Sequence, residues 1–167
     1  MQRTQVLFLV KFFVILVGAY LLIAWNPVND RVIVPFTQGI ATSSGALLNA
    51  IGQQVTVSGT MITSPRFGVN INNGCNGVEA MLILLASIVA FPASMKARAA
   101  GLVLGAIAVQ LLNAIRIISL YLLGAYQPRL FDLFHTAVWQ IVIILAAIGF
   151  FLFWSARVAP NRVASRA

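Results

Sequence analysis

The chain has 167 residues, of which 60% are hydrophobic and only 8% charged. Soluble domains carry about a quarter charged residues, so this composition excludes a soluble globular protein and points to a membrane protein. The formal net charge of +8 is no argument for nucleic acid, because the basic residues sit at the ends of apolar runs and form no stripe with interleaved aromatics.

The first apolar run, Val6 to Trp25, approaches the roughly 20 residues that cross a hydrocarbon core. Lys11 lies near one end and can snorkel to the interface. The run is longer than a signal-peptide core, and no small-x-small cleavage site precedes Trp25 and Pro27, so residues 1–25 are expected to form an uncleaved anchor.

Residues 26–74 form a long loop with structure of its own. Phe36, Ile40, Leu47, Leu48 and Ile51 recur at helical spacing, with Gln38, Thr42, Ser43 and Asn49 on other faces, which predicts an amphipathic helix at the membrane interface. Val55 and Val57 alternate with polar neighbours, Ser64 to Gly68 carries turn chemistry, and Val69 and Ile71 alternate again. A small β-hairpin is therefore expected to deliver the chain to Cys75. Such an edge can receive an extended peptide by strand addition; the plainer alternative is a lid that packs on the spans.

Residues 75–156 hold three further candidate spans, Asn76 to Ser94, Ala99 to Leu123 and Asp132 to Ala156. Arg3, the Lys96 and Arg98 pair, and Arg157, Arg162 and Arg166 of a basic tail over residues 157–167 would all fall on one side of the membrane. Arg31, Arg66 and Arg129 are diluted on the other. The positive-inside rule then places both termini in the cytoplasm and residues 26–74 outside an inner (plasma) membrane. The expected architecture is an all-α integral membrane protein with four transmembrane helices, an extracytoplasmic amphipathic helix and a small β-hairpin.

Scarce reactive residues gather at one level of this plan. Cys75, the only cysteine, opens the second span; Arg116 sits about 9 Å in from the outer end of the third at the usual helical rise, and His135, the only histidine, about 5 Å into the fourth. An ionisable side chain in a membrane helix is costly unless it faces a partner or a wet cavity, so Arg116, His135 and Glu79 are expected to point inward. A cysteine at a helix start meets unpaired amides that favour the thiolate, a histidine can take and return its proton, and an arginine offers fixed donors to a developing oxyanion. Cys, His and Arg together suit acyl transfer from a peptide bond. One Cys and one His supply too few ligands for a structural zinc site, and no second thiol is present for exchange, so neither metal nor cofactor is expected.

The segments Asn73-Gly74-Cys75-Asn76-Gly77-Val78-Glu79-Ala80 and Asn113-Ala114-Ile115-Arg116, followed by His135, resemble the exosortase and archaeosortase family, most closely its H subclass. The resemblance runs over roughly residues 70 to 156. It implies a membrane cysteine protease or transpeptidase with Cys75 as nucleophile, Arg116 as transition-state stabiliser and His135 as general acid or base. The implied partners are membrane lipid and exported proteins ending in a short motif similar to Ile-Pro-Thr-Leu, a hydrophobic span and a basic tail. Many members have about eight spans, more than this length allows at about 20 residues each.

Each residue also has a plainer use. Free cysteine is commonly a small buried hydrophobe, and Arg116 can anchor a span at the interface. Asn113, one turn before Arg116, argues for an inward polar cluster. Asp132 can orient the His135 ring or cap a helix. Glu79, one turn below Cys75, would oppose thiolate formation unless protonated or paired with Arg116, and is read as a structural or tuning group. The alternative from another class is a non-enzymatic membrane subunit whose polar cluster binds a lipid head group or a partner span. Oligomeric state, cognate substrate and acceptor are left open by the sequence.

Overall fold

A computed structural model describes residues 3–158; Arg162 and Arg166 of the expected basic tail lie outside the described residues. Helix α1 (Arg3–Ala24) is apolar on every side and has no buried residue. Its 22 residues span about 33 Å at the usual rise, enough for a hydrocarbon core of about 30 Å. Trp25 breaks it with extended backbone, and Pro27 in the first turn starts a new direction through the short α2 (Asn26–Val28), a π-helical turn (Asn29–Ile33) and α3 (Val34–Ala50).

The expected amphipathic helix is present as α3, with its apolar residues divided between an outward and a buried face. Phe36, Leu47 and Ile51 point outward, 37%, 49% and 54% exposed, while Thr37, Ala41, Ser44, Gly45 and Leu48 are buried. Small residues allow the close approach: a Cβ on Gly45 would collide with the Val57 side chain. Phe36, Leu47 and Ile51 are left for lipid, while Leu48 and Ile40 join the cap core.

The expected hairpin is a three-stranded antiparallel meander, β1 (Thr56–Ser58), β2 (Met61–Thr63) and β3 (Gly68–Asn70), in the order β1-β2-β3. Val57 and Val69 do not pair with each other; both pair with Ile62. The added strand is made possible by the two-residue turn at Gly59 and Thr60, where Gly59 takes φ +61°, the left-handed value that a tight hairpin turn needs at its first central position. The Ser64–Phe67 turn is closed by Ser64 N–H donating to Phe67 O at 2.9 Å.

Helix α4 (Val78–Ala90) follows the turn that holds Cys75, and α5 (Met95–Tyr126) starts at Ser94, whose hydroxyl accepts the Ala97 N–H. Helix α5 has 32 residues, about 48 Å, so it overshoots a core of about 30 Å and its second half carries the sheet and α3. The chain then turns into α6 (Pro128–Leu133), a second π-helical turn (Phe134–Val138) and α7 (Trp139–Val158).

Among the described residues, three helices are long and apolar enough to cross a membrane: Arg3–Ala24, Met95–Tyr126 and the run Pro128–Val158. The segment expected to form another span, Asn76 to Ser94, is helical over only 13 residues, about 20 Å. Its helix begins after Gly77, which sits at φ +74°, and ends at the extended Phe91 before Pro92.

Buried side chains form two clusters, one for each half of the molecule. Ala41, Leu48, Val55, Ile62, Ile71, Ile117 and Tyr121 make the core of the cap, while Leu84, Ile88, Val109, Ala147 and Trp154 make the core of the bundle. Gly101 and Gly105 serve packing within the chain, with Trp154 against the first and Leu84 and Phe150 against the second. Trp154 is 7% exposed and donates its indole N–H to Ala97 O at 3.2 Å, so it is a core residue and not part of an interfacial belt. Outward faces carry large apolar residues such as Val14, Leu21, Leu111, Leu145 and Leu152, each more than half exposed. A surface of that kind needs lipid around it; the fold is that of a multi-pass membrane protein.

The two ends of the bundle differ in chemistry. Phe8 meets Phe91 and Phe151 at 6.4 and 6.1 Å, which brings the start of α1, the α4–α5 connection and the end of α7 together, with Arg3, Lys96, Arg98 and Arg157 nearby in sequence. Arg98 donates to Phe91 O and Ala93 O, satisfying carbonyls of the connection between α4 and α5. The opposite end carries the cap.

Candidate active site

Cys75 lies where the two cores meet. It packs against the cap cluster, and its own N–H is held by Asn72 O at 2.9 Å in the turn that enters α4. That turn is pinned from several sides. Glu79, in the first turn of α4, reaches back so that one carboxylate oxygen accepts the Gly74 N–H at 2.8 Å. The fully buried Asn76 donates to Thr37 Oγ1 at 2.9 Å and accepts the Val78 N–H at 3.1 Å, tying the start of α4 to α3. Gly77 is required here for two reasons: its φ is +74°, and an added Cβ would sit 3.0 Å from the Asn113 side chain.

The structure brings Cys75, Arg116 and His135 together. Cys75 Sγ and His135 Nε2 are 3.3 Å apart. Arg116, 4% exposed, lies on α5 with Nη1 donating to Gly74 O at 3.4 Å and Nη2 at 4.0 Å from the sulfur. From Met95 to Arg116 the helix climbs about 31 Å, which puts the guanidinium near the edge of a core of about 30 Å. The three side chains therefore lie about one core thickness from the start of α5, under the cap.

Among the described residues, no carboxylate orients His135. Asp132 is exposed and its side chain makes no hydrogen bond to the ring, while its backbone carbonyl accepts the Thr136 hydroxyl. Of the two uses open to Asp132, orienting the ring or capping a helix, its side chain makes neither contact, and the physical reason is local winding. His135 falls in a π-helical turn, whose extra residue per turn rotates it off the Asp132 face. Phe131 takes that place, stacking on the imidazole at 5.5 Å with 14° between planes. Phe67 packs in turn on Phe131 at 5.4 Å and occupies the space over Gly124.

Glu79 is not paired with Arg116; it braces the Gly74 amide, a structural use, and its second oxygen is buried without a partner. Asn113 is fully buried beside Gly77, with neither its amide nitrogen nor its oxygen hydrogen-bonded. Trp139, one turn below His135, does not reach the cleft, and its indole nitrogen is buried without a partner. The cleft beside the sulfur is about 30 Å³ and is walled by Val69, Asn70 and Ile71 on one side and by Arg116 and His135 on the other. Phe131 and the strand residues 69–71 are participants the sequence reading did not assign.

No group of three or more His, Cys, Asp or Glu residues that could hold a metal occurs among the described residues. The arrangement can bring a thiol to a carbonyl, exchange a proton through the imidazole and place a cation beside the resulting charge.

A family model described as transmembrane exosortase matches residues 3–154. No curated protein and no solved structure matches the chain.

Proposed function

The chain belongs to the transmembrane exosortase family, and from that premise we propose that it is a membrane-embedded cysteine transpeptidase or protease. Its substrates are exported proteins, which it cleaves near a C-terminal sorting signal through a thioacyl intermediate. The observation that carries this reading is the 3.3 Å separation of Cys75 Sγ and His135 Nε2 with the Arg116 guanidinium at 4.0 Å from the same sulfur.

In the proposed reaction, His135 Nε2 takes the thiol proton as the sulfur attacks the scissile carbonyl carbon. Arg116 stabilises the oxyanion. Collapse of the tetrahedral species breaks the C–N bond, and the imidazolium gives its proton to the leaving amine. The acyl group is then held on Cys75. An incoming amine or water loses its proton to His135, attacks the thioester and expels the cysteine sulfur, which regains a proton.

His135→Gln tests the imidazole, because glutamine is polar and of similar size but cannot exchange protons. Single-turnover acylation is expected to fall by about two to four powers of ten, the scale of general acid–base catalysis, and the bell-shaped dependence of rate on pH to disappear. An unchanged acylation rate and profile would remove His135 from the reaction.

The proposed topology has both termini in the cytoplasm and the cap outside, in the inner (plasma) membrane. Its support is the grouping of Arg3, Lys96, Arg98 and Arg157 at the end of the bundle opposite the cap. Four crossings are compatible with the short α4: about 20 Å of helix plus about 13 Å for the extended residues 91–94 covers a core of about 30 Å. Ser58 is exposed in β1. In a Cys75→Ser background, a Ser58→Cys probe is expected to react with a membrane-impermeant maleimide added outside intact cells. Labelling from the cytoplasmic side alone would overturn the orientation.

A further inference from the structure

The sheet ends, at β3, on an edge that opens onto the nucleophile. With strand order β1-β2-β3, β3 has a hydrogen-bonded neighbour on one side only. Which of its groups are free follows from the ladder. Ile71 N–H donates to Thr60 O and Ser64 N–H donates to Phe67 O, so the pairs 60/71 and 64/67 are hydrogen-bonded. In an antiparallel ladder such pairs alternate with non-bonded ones. The register Met61↔Asn70, Ile62↔Val69, Thr63↔Gly68 then turns residues 67, 69 and 71 toward β2 and leaves the N–H and C=O of Gly68 and Asn70 pointing away from the sheet. Asn70 is also a wall of the cleft that holds Cys75, Arg116 and His135.

The other edge is less available. At Val55, just before β1, both backbone groups are taken by the Asn49 side chain of α3, with Val55 N–H to Asn49 Oδ1 at 2.6 Å and Asn49 Nδ2 to Val55 O at 3.0 Å. Among the described residues, the free edge next to the sulfur is therefore β3. The cleft is lined by this strand and by Arg116 and His135, so a peptide lying along its rim can present a peptide bond to the sulfur.

We propose that β3 is the substrate-binding strand: the peptide around the scissile bond adds to the open edge as a fourth antiparallel or parallel strand, hydrogen-bonded to the main chain of Asn70 and Gly68. This rests on the acyl-transfer reading of the site and gives it a substrate geometry. Recognition through main-chain groups demands an extended segment. Side chains then alternate between the protein and the solvent, and only alternate residues of the substrate offer their N–H to the enzyme.

The probe is a fluorescent synthetic peptide carrying Ile-Pro-Thr-Leu, a leucine-rich span and a lysine-rich end, studied with the full-length protein in nanodiscs. Binding to the Cys75→Ala protein is read by anisotropy and cleavage by the wild type is read separately. Single N-methylation along the peptide is expected to weaken binding about tenfold at one residue and little at the next, since a lost main-chain bond is worth about one power of ten. Asn70→Pro deletes the outward N–H without touching the β2–β3 ladder, and is expected to lower kcat/KM about tenfold or more, mainly through KM. Asn70→Ala, which keeps the N–H and loses only the side chain that accepts the Thr60 hydroxyl, is expected to lower kcat/KM clearly less than Asn70→Pro. Iodoacetamide reaction at Cys75 reports that each variant retains its site.

Uniform effects of N-methylation, or wild-type kcat/KM in a folded Asn70→Pro protein, would overturn the proposal. So would failure of the peptide to bind. Alternating binding without cleavage by the wild type would retain the strand and overturn the acyl-transfer reading instead.

Discussion

Replacing Cys75 with alanine is expected to abolish substrate processing, by about 10⁵-fold or more if the sulfur is the nucleophile, as removal of one member of a catalytic unit does elsewhere. The thiol is half-buried and at the margin of the cap core, touching residues that remain well packed without it. Insertion and folding are therefore expected to survive, and membrane level together with external labelling of the cap provides the control. Alkylation of the wild type should inactivate it with the same completeness. A subunit that only binds a lipid head group or a neighbouring span predicts the opposite, because alanine leaves Arg116, Asn76 and Glu79 in place. Processing at the wild-type rate by Cys75→Ala would sink the mechanism and leave that binding role standing.

Much of the site was legible in the sequence because the rarest residues carry it. A single cysteine, a single histidine and an arginine inside an apolar run have few physically acceptable positions, and all fall toward one end of their spans. Their convergence to within 4.0 Å is what the cost of isolated polar groups near a membrane requires. The brace by Glu79 was readable as structural, although its partner, the Gly74 amide, was not.

What could not be read depended on winding and packing. The π-helical turn at Phe134–Val138 has no signature in hydrophobic periodicity, yet it decides that Phe131, four residues before His135, meets the ring while Asp132 does not. In α3 the usual rule for soluble helices, apolar side inward, holds only in part, because lipid can cover Phe36 and Leu47 while Leu48 packs inside with the small residues. Met61 to Thr63 was missed as a strand because its two-residue turn, Gly59 and Thr60, interrupts what reads as one run of polar and apolar alternation. The second span is shorter than its apolar stretch because Gly77 and Pro92 restrict the helix between them.

Arg116→Lys separates an oxyanion clamp from a membrane anchor. Arginine here divides its fork, with Nη1 on Gly74 O at 3.4 Å and Nη2 toward the sulfur at 4.0 Å, while the buried Nε has no hydrogen-bond partner. One ammonium on a flexible stem cannot hold the carbonyl before Cys75 and also stand where the oxyanion forms. The substitution keeps the charge and the ability to snorkel, so an anchor would tolerate it. A clamp predicts that kcat falls by about two to three powers of ten, the usual loss for one oxyanion donor, with KM little changed because the interaction is made chiefly in the transition state. Single-turnover formation of the thioacyl enzyme isolates that step from release. Near-wild-type acylation by a correctly inserted Arg116→Lys protein would return Arg116 to the role of an anchor.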